Sequence, residues 1–504
     1  MRNLPRRVFT TAQIKFIEAD YANSHNGHTY DLMEKAGLAV FKHILSVKPK
    51  PDEVWIFCGK GNNGGDGYIV ASCLKERGLR HRVFAVGKPR QGTEASTACE
   101  YYLSLGGVIE ERLPDEQVKK PDVIVDALLG TGISSSPRAP LDDWIYFINK
   151  CHAYTVAVDI PSGVCADTGH VPGDCINASA TVCMLGLKPG LLTGDAVDYV
   201  GQLLFASLDV DTSTYSDEDL ESLQGALPLP VFLSSYESSC EDLPKRAISS
   251  NKGDNGKVLI VGGSQGMGGA AIISGIGALR AGSGLVKVAL DPINIPALNS
   301  VCPELMTVNY LDDEAIDSAI QWADVIALGP GLGQSSRVRE LLNRAYASDK
   351  YIVCDADSLN IMAKDSPSYN ERRIITPHPG EAGRLLGVST EEVNADRLMA
   401  AYTLQQRYGG VVLLKGAGSV ICNGKRFVII DEGSPAMAVG GMGDLLTGII
   451  ASFLGQGLTF SQSVICGACV HGRAGFLAGE KEGPVGTFPS DLNYFVRRLV
   501  NGRS

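Results

Sequence analysis

The sequence predicts two α/β domains, each built on a largely parallel β-sheet with helices on both faces. Short apolar runs alternate with helix-like segments from Val54 to about Val210, and strand, helix, strand in succession implies a parallel sheet with covered faces. A second series of the same kind begins at Lys257. With 504 residues the chain also exceeds one ordinary core, since domains run to roughly 100–200 residues.

In the first series the expected strands are Val54–Cys58, Arg82–Val86, Val123–Leu129 and Thr155–Ile160, with helices at Tyr68–Arg77 and Ala95–Leu105. In the second, strands are expected at Lys257–Val261, Leu285–Leu290, Val325–Leu328, Tyr351–Cys354, Arg373–Thr376 and Val411–Leu414, with a small-residue helix near Gly269–Ala281. Between them, Thr212 to Lys245 is rich in Ser, Asp, Glu and Pro, with only a short helical pattern near Asp217–Leu223, and reads as a linker. The expected domains are residues 1–225 and 226–504. Different glycine spacings in the two halves argue against a tandem duplication.

A formal charge of −11 gives no electrostatic reason to expect nucleic acid or an anionic membrane as partner. No stretch approaches the ~20 apolar residues of a bilayer span, and the basic start is not followed by a signal-peptide core, so a cytoplasmic protein is expected. The 13 cysteines lack framework spacing, and Cys58, Cys183 and Cys354 sit in apolar runs, as reduced core thiols do. Cys466-Gly467-Ala468-Cys469, with His471 beyond, lies in an apolar helical pattern without a second ligand pair and reads as core.

Gly59-Lys60-Gly61-Asn62-Asn63-Gly64-Gly65-Asp66-Gly67 follows a strand and opens a helix, where backbone N–H groups and the helix dipole can hold a phosphate. A dinucleotide fold would also want an acid at the end of the next strand, but Ala85-Val86-Gly87-Lys88 has none. Two later strand ends do carry acids: Asp126 in Val125-Asp126-Ala127-Leu128-Leu129-Gly130-Thr131-Gly132, and Asp159 in Val158-Asp159-Ile160-Pro161-Ser162-Gly163. Each alone could be a cap or turn residue; together they mark the ligand edge of an open sheet.

These motifs, in this order, resemble the NAD(P)H-hydrate epimerase family over nearly all of residues 1–210, which implies a Rossmann-like domain. The resemblance implies K+ ligands at Asn63, Asp126 and Ser162, an oxygen-only set suited to a weakly hydrated monovalent cation. It implies contacts to hydrated NADH or NADPH from Asn62, Asn63, Gly64, Gly65 and Asp66 and from Gly130, Thr131, Gly132, Ile133, Ser134, Ser135 and Ser136, with Asp159 as acid/base.

In the second half, Val439-Gly440-Gly441-Met442-Gly443-Asp444 precedes the apolar helical run Leu445–Phe453, placing an anion hole beside a carboxylate. No G-x-x-x-x-G-K-[ST] loop occurs, because Gly59-Lys60, Gly256-Lys257 and Gly424-Lys425 all lack the following Ser or Thr. The glycine-flanked aspartate is similar to the ribokinase-like superfamily, in which it takes a proton from a hydroxyl attacking a terminal phosphate.

Lys252-Gly253-Asp254, Gly329-Pro330-Gly331-Leu332-Gly333, Thr376-Pro377-His378-Pro379-Gly380-Glu381 and Leu414-Lys415-Gly416-Ala417-Gly418 narrow the likeness to the NAD(P)H-hydrate dehydratase family, over about Ser250 to Asp491. It implies substrate contacts from Gly331, His378, Pro379, Gly380, Glu381, Ala382, Gly383, Arg384 and the base Asp444. It implies ADP or ATP contacts from Lys415, Gly416, Ala417, Gly418, Ser419 and Gly443, with Mg2+ accompanying the nucleotide. His378 between prolines could be only a rigid turn, and Lys415 only a solvated strand end. Gly433–Ala438 departs from the family's pattern at Pro435. Both families imply a homo-oligomer. The rival readings are a ribokinase-type small-molecule kinase with a regulatory first domain, and a first domain that senses dinucleotides without chemistry.

Overall fold

The computed structural model describes residues 4–115, 117–133, 135–365 and 370–503; Ser134, one of the expected substrate contacts, lies outside the described residues. The chain divides into two compact units, Met1–Val231 and Phe232–Ser504.

The first unit is built on β1 (Val54–Cys58), β2 (His81–Ala85), β3 (Ile109–Glu110), β4 (Val123–Ala127), β5 (Tyr154–Val158), β6 (Ala180–Met184) and β7 (Gln202–Ala206). They lie in the order β3-β2-β1-β4-β5-β6-β7, and every neighbouring pair is parallel. All five residues of β1 and of β4 are buried, as expected of strands covered on both faces. Alternate side chains divide between two cores. Ile56 and Val125 join the helical residues Val40 and Val70 on one side, while Phe57 and Ile124 join Trp144 and Ile148 on the other. On the aromatic side Phe57 stacks on Phe84 at 5.0 Å and meets Trp144 edge-on at 5.9 Å. Two helices, Thr11–Ser24 and Tyr30–Val47, precede β1 and were not expected from the alternation that begins at Val54.

The helix expected from Tyr68 begins at Asn62, with Gly61 as its N-cap. Asn62 to Asp66 are therefore its first turns, a correction to their reading as a loop. The pattern misleads because glycines are poor helix formers, yet a side chain at Gly64 would place its Cβ 2.1 Å from the Gly59 carbonyl oxygen. Close return of the helix onto its own entry turn requires that residue.

The second unit's strands are β8 (Val231–Ser234, at the boundary), β9 (Lys257–Val261), β10 (Leu285–Leu290), β11 (Met306–Asn309), β12 (Val325–Leu328), β13 (Tyr351–Cys354), β14 (Arg373–Ile375), β15 (Val411–Leu414), β16 (Val420–Cys422) and β17 (Phe427–Ile430). Their order is β8-β17-β16-β15-β14-β13-β12-β9-β10-β11. From β15 to β11 all pairings are parallel, which brings their carboxyl ends to one edge. β16 and β17 extend the sheet antiparallel. β8 corrects the linker reading: Val231-Phe232-Leu233 is a strand, disguised by the proline-rich residues before it.

The helix expected from Leu445 spans Met442–Gly455, so Asp444 lies in its first turn. It packs on the Gly268–Arg280 helix so closely that a Cβ on Gly448 would stand 1.9 Å from the Ser274 carbonyl oxygen. Cys466 and Cys469 are buried in the Phe460–Glu482 helix, and all 13 cysteines are free. His471 is buried, and that burial lowers its pKa to about 4, so it is a neutral core residue at ordinary pH. Among the described residues no helix is long and apolar enough to cross a membrane.

Candidate active sites

In the first unit, register sets Asp126 opposite Phe57 on β1 and Ala157 on β5, so the turns after all three strands converge. Asp126 is fully buried. Its Oδ1 accepts the Ser162 hydroxyl at 2.6 Å and the Leu128 N–H at 3.2 Å, and its Oδ2 accepts the Ser162 N–H at 2.8 Å. The Leu129 N–H donates to Ser162 Oγ at 2.9 Å, and the Asn63 amide donates to the Leu129 carbonyl at 2.8 Å. The three side chains expected to hold K+, Asn63, Asp126 and Ser162, thus form one buried cluster around the Leu129 backbone.

Burial pushes the Asp126 carboxyl up to about 6, against hydrogen bonds from Ser162 and Leu128 that hold it down. Among the described residues no cationic side chain pairs with it. A single carboxylate in a cage of hydroxyl, amide and carbonyl oxygens fits a monovalent cation, which would supply the missing positive charge.

Asp159 follows β5 with φ +65°, a left-handed backbone uncommon outside glycine. Its Oδ1 accepts the Met184 N–H at 2.9 Å and the ammonium of Lys188. Lys188 was missed by sequence reasoning, where a lone lysine before Pro189-Gly190 carries no signal. Asp66, half-buried in the first turns of the Asn62–Glu76 helix, is pushed well up by burial, then by Asp159 and Glu18, with Lys188 opposing. Gly132, Ile133, Ser135 and Ser136, with Leu129, help to line a cavity of about 260 Å³ that also meets Arg138. Gly130 lies against the Asn63 side chain, with half-buried Thr131 next to it.

In the second unit the turns after β9, β12, β13, β14 and β15 carry the site. Lys415, at the end of β15, sends its ammonium to Asp355 Oδ1 at 2.6 Å and lies 4.0 Å from Glu381 Oε2. Asp355 Oδ2 accepts the Thr447 hydroxyl at 2.8 Å. Burial would raise Asp355, but Lys415 and Thr447 outweigh it and hold its carboxyl below the usual range. Burial would likewise depress Lys415, and Asp355 and Glu381 hold it up instead. The strand-end rule that found Asp126 and Asp159 would also have found Asp355 in Val353-Cys354-Asp355; Thr447, inside an apolar helix, had no such signal.

Asp444 is raised to about 7 by burial and then by Asp355, with Lys415 opposing. Glu381 is raised to about 7 by burial, with Lys415 opposing. A Cβ on Gly443 would lie 3.1 Å from Lys415 Nζ, so the ammonium sits beside the first turn of the Met442–Gly455 helix. His378 caps the Pro379–Leu386 helix: its Nδ1 accepts the N–H of Gly380 at 3.1 Å and of Glu381 at 3.4 Å, while Nε2 lies 3.4 Å from Glu381 Oε1. Within that helix Ala382 and Gly383 are buried and Arg384 donates to Asn360 Oδ1 at 2.8 Å. Gly331 accepts from Ser264 N–H at 2.7 Å.

Lys415 N–H donates to the Pro377 carbonyl at 2.8 Å, tying the Gly416–Ser419 loop to the His378 turn. Gly416 and Ala417 of that loop are exposed, Gly418 and Ser419 partly so, and Ser419 Oγ donates to the Gly416 carbonyl at 3.0 Å. Pro435 opens a short 3-10 turn, Pro435–Met437, capped by Ser434.

Comparison with known proteins agrees with this division. Residues 258–497 match the family model described as NAD(P)H-hydrate dehydratase, and residues 29–190 match the YjeF-related protein N-terminus. The bifunctional NAD(P)H-hydrate repair enzyme of Vibrio cholerae is 40% identical over 502 residues, covering 99% of both chains. That of Escherichia coli is 41% identical over 503 residues, covering 99% of this chain and 95% of its own. Among solved structures, a ribokinase-like superfamily protein from Enterococcus faecalis matches 54% of this chain and 96% of its own at 27% identity and a TM-score of 0.50. With a Rossmann-like first unit, a ribokinase-like second unit and relatives alike along nearly the whole length, the chain belongs to the family of bifunctional NAD(P)H-hydrate repair enzymes.

Proposed function

We propose that the first unit interconverts the R and S epimers of hydrated NADH and NADPH, and that the second dehydrates the S epimer in a reaction driven by ADP or ATP. The observation that carries this reading is Asp444. It is a carboxyl raised to about 7 in the first turn of a helix, behind Gly440, Gly441 and Gly443, with the Lys415 ammonium next to it.

In the second unit Asp444 takes the proton from the C6 hydroxyl of the substrate as its oxygen attacks the terminal phosphorus of the nucleotide. The N–H groups at the start of the Met442–Gly455 helix and the Lys415 ammonium stabilise the charge on the transferred group. Phosphate is a better leaving group than hydroxide. The C6–O bond then breaks with the help of the ring nitrogen, a proton is lost from C5, and the dihydropyridine is restored. His378 to Arg384 and Gly331 border the space for the substrate, and Gly416 to Ser419 that for the nucleotide.

Mg2+ would enter on the nucleotide phosphates, the usual mode for this ion. Among the described residues no three His, Cys, Asp or Glu side chains form a metal-holding group, so the nucleotide phosphates would supply most of its ligands. The ion would neutralise phosphate charge during transfer.

In the first unit, inversion at C6 proceeds through ring opening or loss of water, and either route needs a proton moved. Asp159 is the group we assign to it, with K+ held by Asn63, Asp126 and Ser162. Asn62 to Asp66, with Gly130 to Ile133, Ser135 and Ser136, form the substrate's surroundings.

The test is recovery of dihydronicotinamide absorbance from purified protein, separated epimers and Mg2+ with ADP or ATP in parallel. Both epimers should be recovered, and the donor comparison identifies the nucleotide. Asp444→Ala should abolish recovery but leave epimer exchange, and Asp159→Ala should slow exchange alone. A stable phosphorylated product would instead favour the small-molecule kinase reading.

A further inference from the structure

Lys188 is an unusual residue to find inside the first unit. Its side chain is 1% exposed, and placing an ammonium there costs several kcal/mol unless it is paired and hydrogen-bonded. The pairing is complete: besides Asp159 Oδ1, it donates to the Met184 carbonyl at 2.8 Å and reaches Cys183 Sγ at 3.8 Å. The aspartate's side of the pair is not closed in the same way. Asp159 is 16% exposed, Oδ1 takes both Lys188 and the Met184 N–H, and among the described residues Oδ2 accepts no hydrogen bond. One oxygen is thus tied to the end of β6 while the other is left for something outside the protein.

The surroundings explain why a cation is needed. Glu18 from the Thr11–Ser24 helix and Asp66 from the Asn62–Glu76 helix both feel the charges of Lys188 and Asp159, and the Cys183 thiol touches the ammonium. Glu18 is raised by burial first, with Lys188 opposing and Asp159 adding to the rise. Three carboxyls therefore share the Lys188 charge, with Glu94 and Lys15 acting more weakly, and in opposite senses, on Glu18. Asp159 also holds a left-handed backbone at φ +65°, which neighbouring contacts must over-determine.

We propose that Lys188 is the positioning residue of the epimerase site, holding the Asp159 carboxylate by Oδ1 so that Oδ2 is presented to the substrate. This rests on the assignment of Asp159 as the proton-transfer group. Lys188 itself has no route to the substrate, since its donors are spent and its side chain is buried.

The test uses the full-length protein carrying Lys188→Met, Lys188→Arg, Asp159→Asn, or Asp159→Asn with Lys188→Met. Epimer exchange is followed across pH, with the fluorescence of Trp55 and Trp144, both buried in the first unit, as the check on folding. Lys188→Met should lower kcat for exchange about 100-fold, the scale of a misplaced acid/base group, with KM changed less than about threefold. The acid limb of its pH profile should move to higher pH, because a carboxylate loses its neighbouring cation. Lys188→Arg should restore part of kcat and return the limb toward that of the parent, and it serves as the probe if the methionine variant does not fold. In the Asp159→Asn background, Lys188→Met should cost nothing further. An equal additional loss there, or an unmoved pH profile in both Lys188 variants, overturns the proposal. Full exchange by Asp159→Asn alone instead overturns the assignment of Asp159 on which it rests.

Discussion

The dehydration step should show an acid limb set by Asp444, with a midpoint near pH 7. The value follows from position. Burial and the Asp355 carboxylate favour the proton on Asp444, and the Lys415 ammonium only partly offsets them. A general base works when ionised, so with a midpoint of about 7 the active fraction is about one-eleventh at pH 6, half at pH 7 and ten-elevenths at pH 8. The rate at saturating hydrate, nucleotide and Mg2+ should therefore rise roughly tenfold from pH 6 to pH 8. Glu381 is also raised to about 7, and Glu381→Gln separates the two: the limb should survive that change. Lys415→Met should move it to higher pH, because the opposing cation is gone. Asp444→Asn should cut kcat by about 10²–10⁴-fold, the usual worth of a positioned acid/base, and flatten what rate remains. A rate independent of pH between 6 and 8, or a limb lost with Glu381→Gln and kept with Asp444→Asn, would refute this reasoning.

Other expectations follow from the same geometry. Asp126→Asn should remove the dependence of epimer exchange on K+, read by comparing K+ with an organic cation at constant ionic strength, while dehydration of the S epimer is unchanged. Gly443→Ala should lower dehydration sharply, since the new methyl group would stand 3.1 Å from Lys415 Nζ and 3.5 Å from Asp355 Oδ2; kcat is the measurement, with unfolding temperature as control. Gly448→Ala should act the other way round, on stability. Its Cβ would meet the Ser274 carbonyl oxygen at 1.9 Å, and forcing the helices apart costs ~1–3 kcal/mol, visible as an earlier thermal unfolding transition.

Much of the scaffold was legible because the inner strands are buried on both faces and so read as uninterrupted apolar runs. Val54–Cys58, Lys257–Val261 and Val325–Leu328 are placed by their sequences to the residue. Helix starts were not, because at Asn62 and Met442 the first turn is made of glycines and polar residues whose preference is for loops. Close packing, of Gly64 on Gly59 at the first and of the Met442–Gly455 helix on the Gly268–Arg280 helix at the second, overrides that preference, and both are tertiary facts. The candidate sites show the same division. Strand-end carboxylates could be read one at a time, but the cations that answer them, Lys188 and Lys415, depend on which turns meet at a sheet edge. No local pattern marks Thr447 either; its hydroxyl has meaning only once Asp355 lies across from it.

The near-contact of the Met442–Gly455 and Gly268–Arg280 helices has a consequence for how the second site can operate. Side chains in a helix interface act as compliant spacers, and here that layer is absent where Gly448 meets Ser274. The Asp444 carboxyl is therefore mounted on a strut with almost no travel along or across its neighbour. Under the proposed function, adjustment to different substrates or donors falls to the His378 turn and the Gly416–Ser419 loop. Selection for a new hydroxyl substrate would be expected to leave the strut untouched and rewrite those two segments.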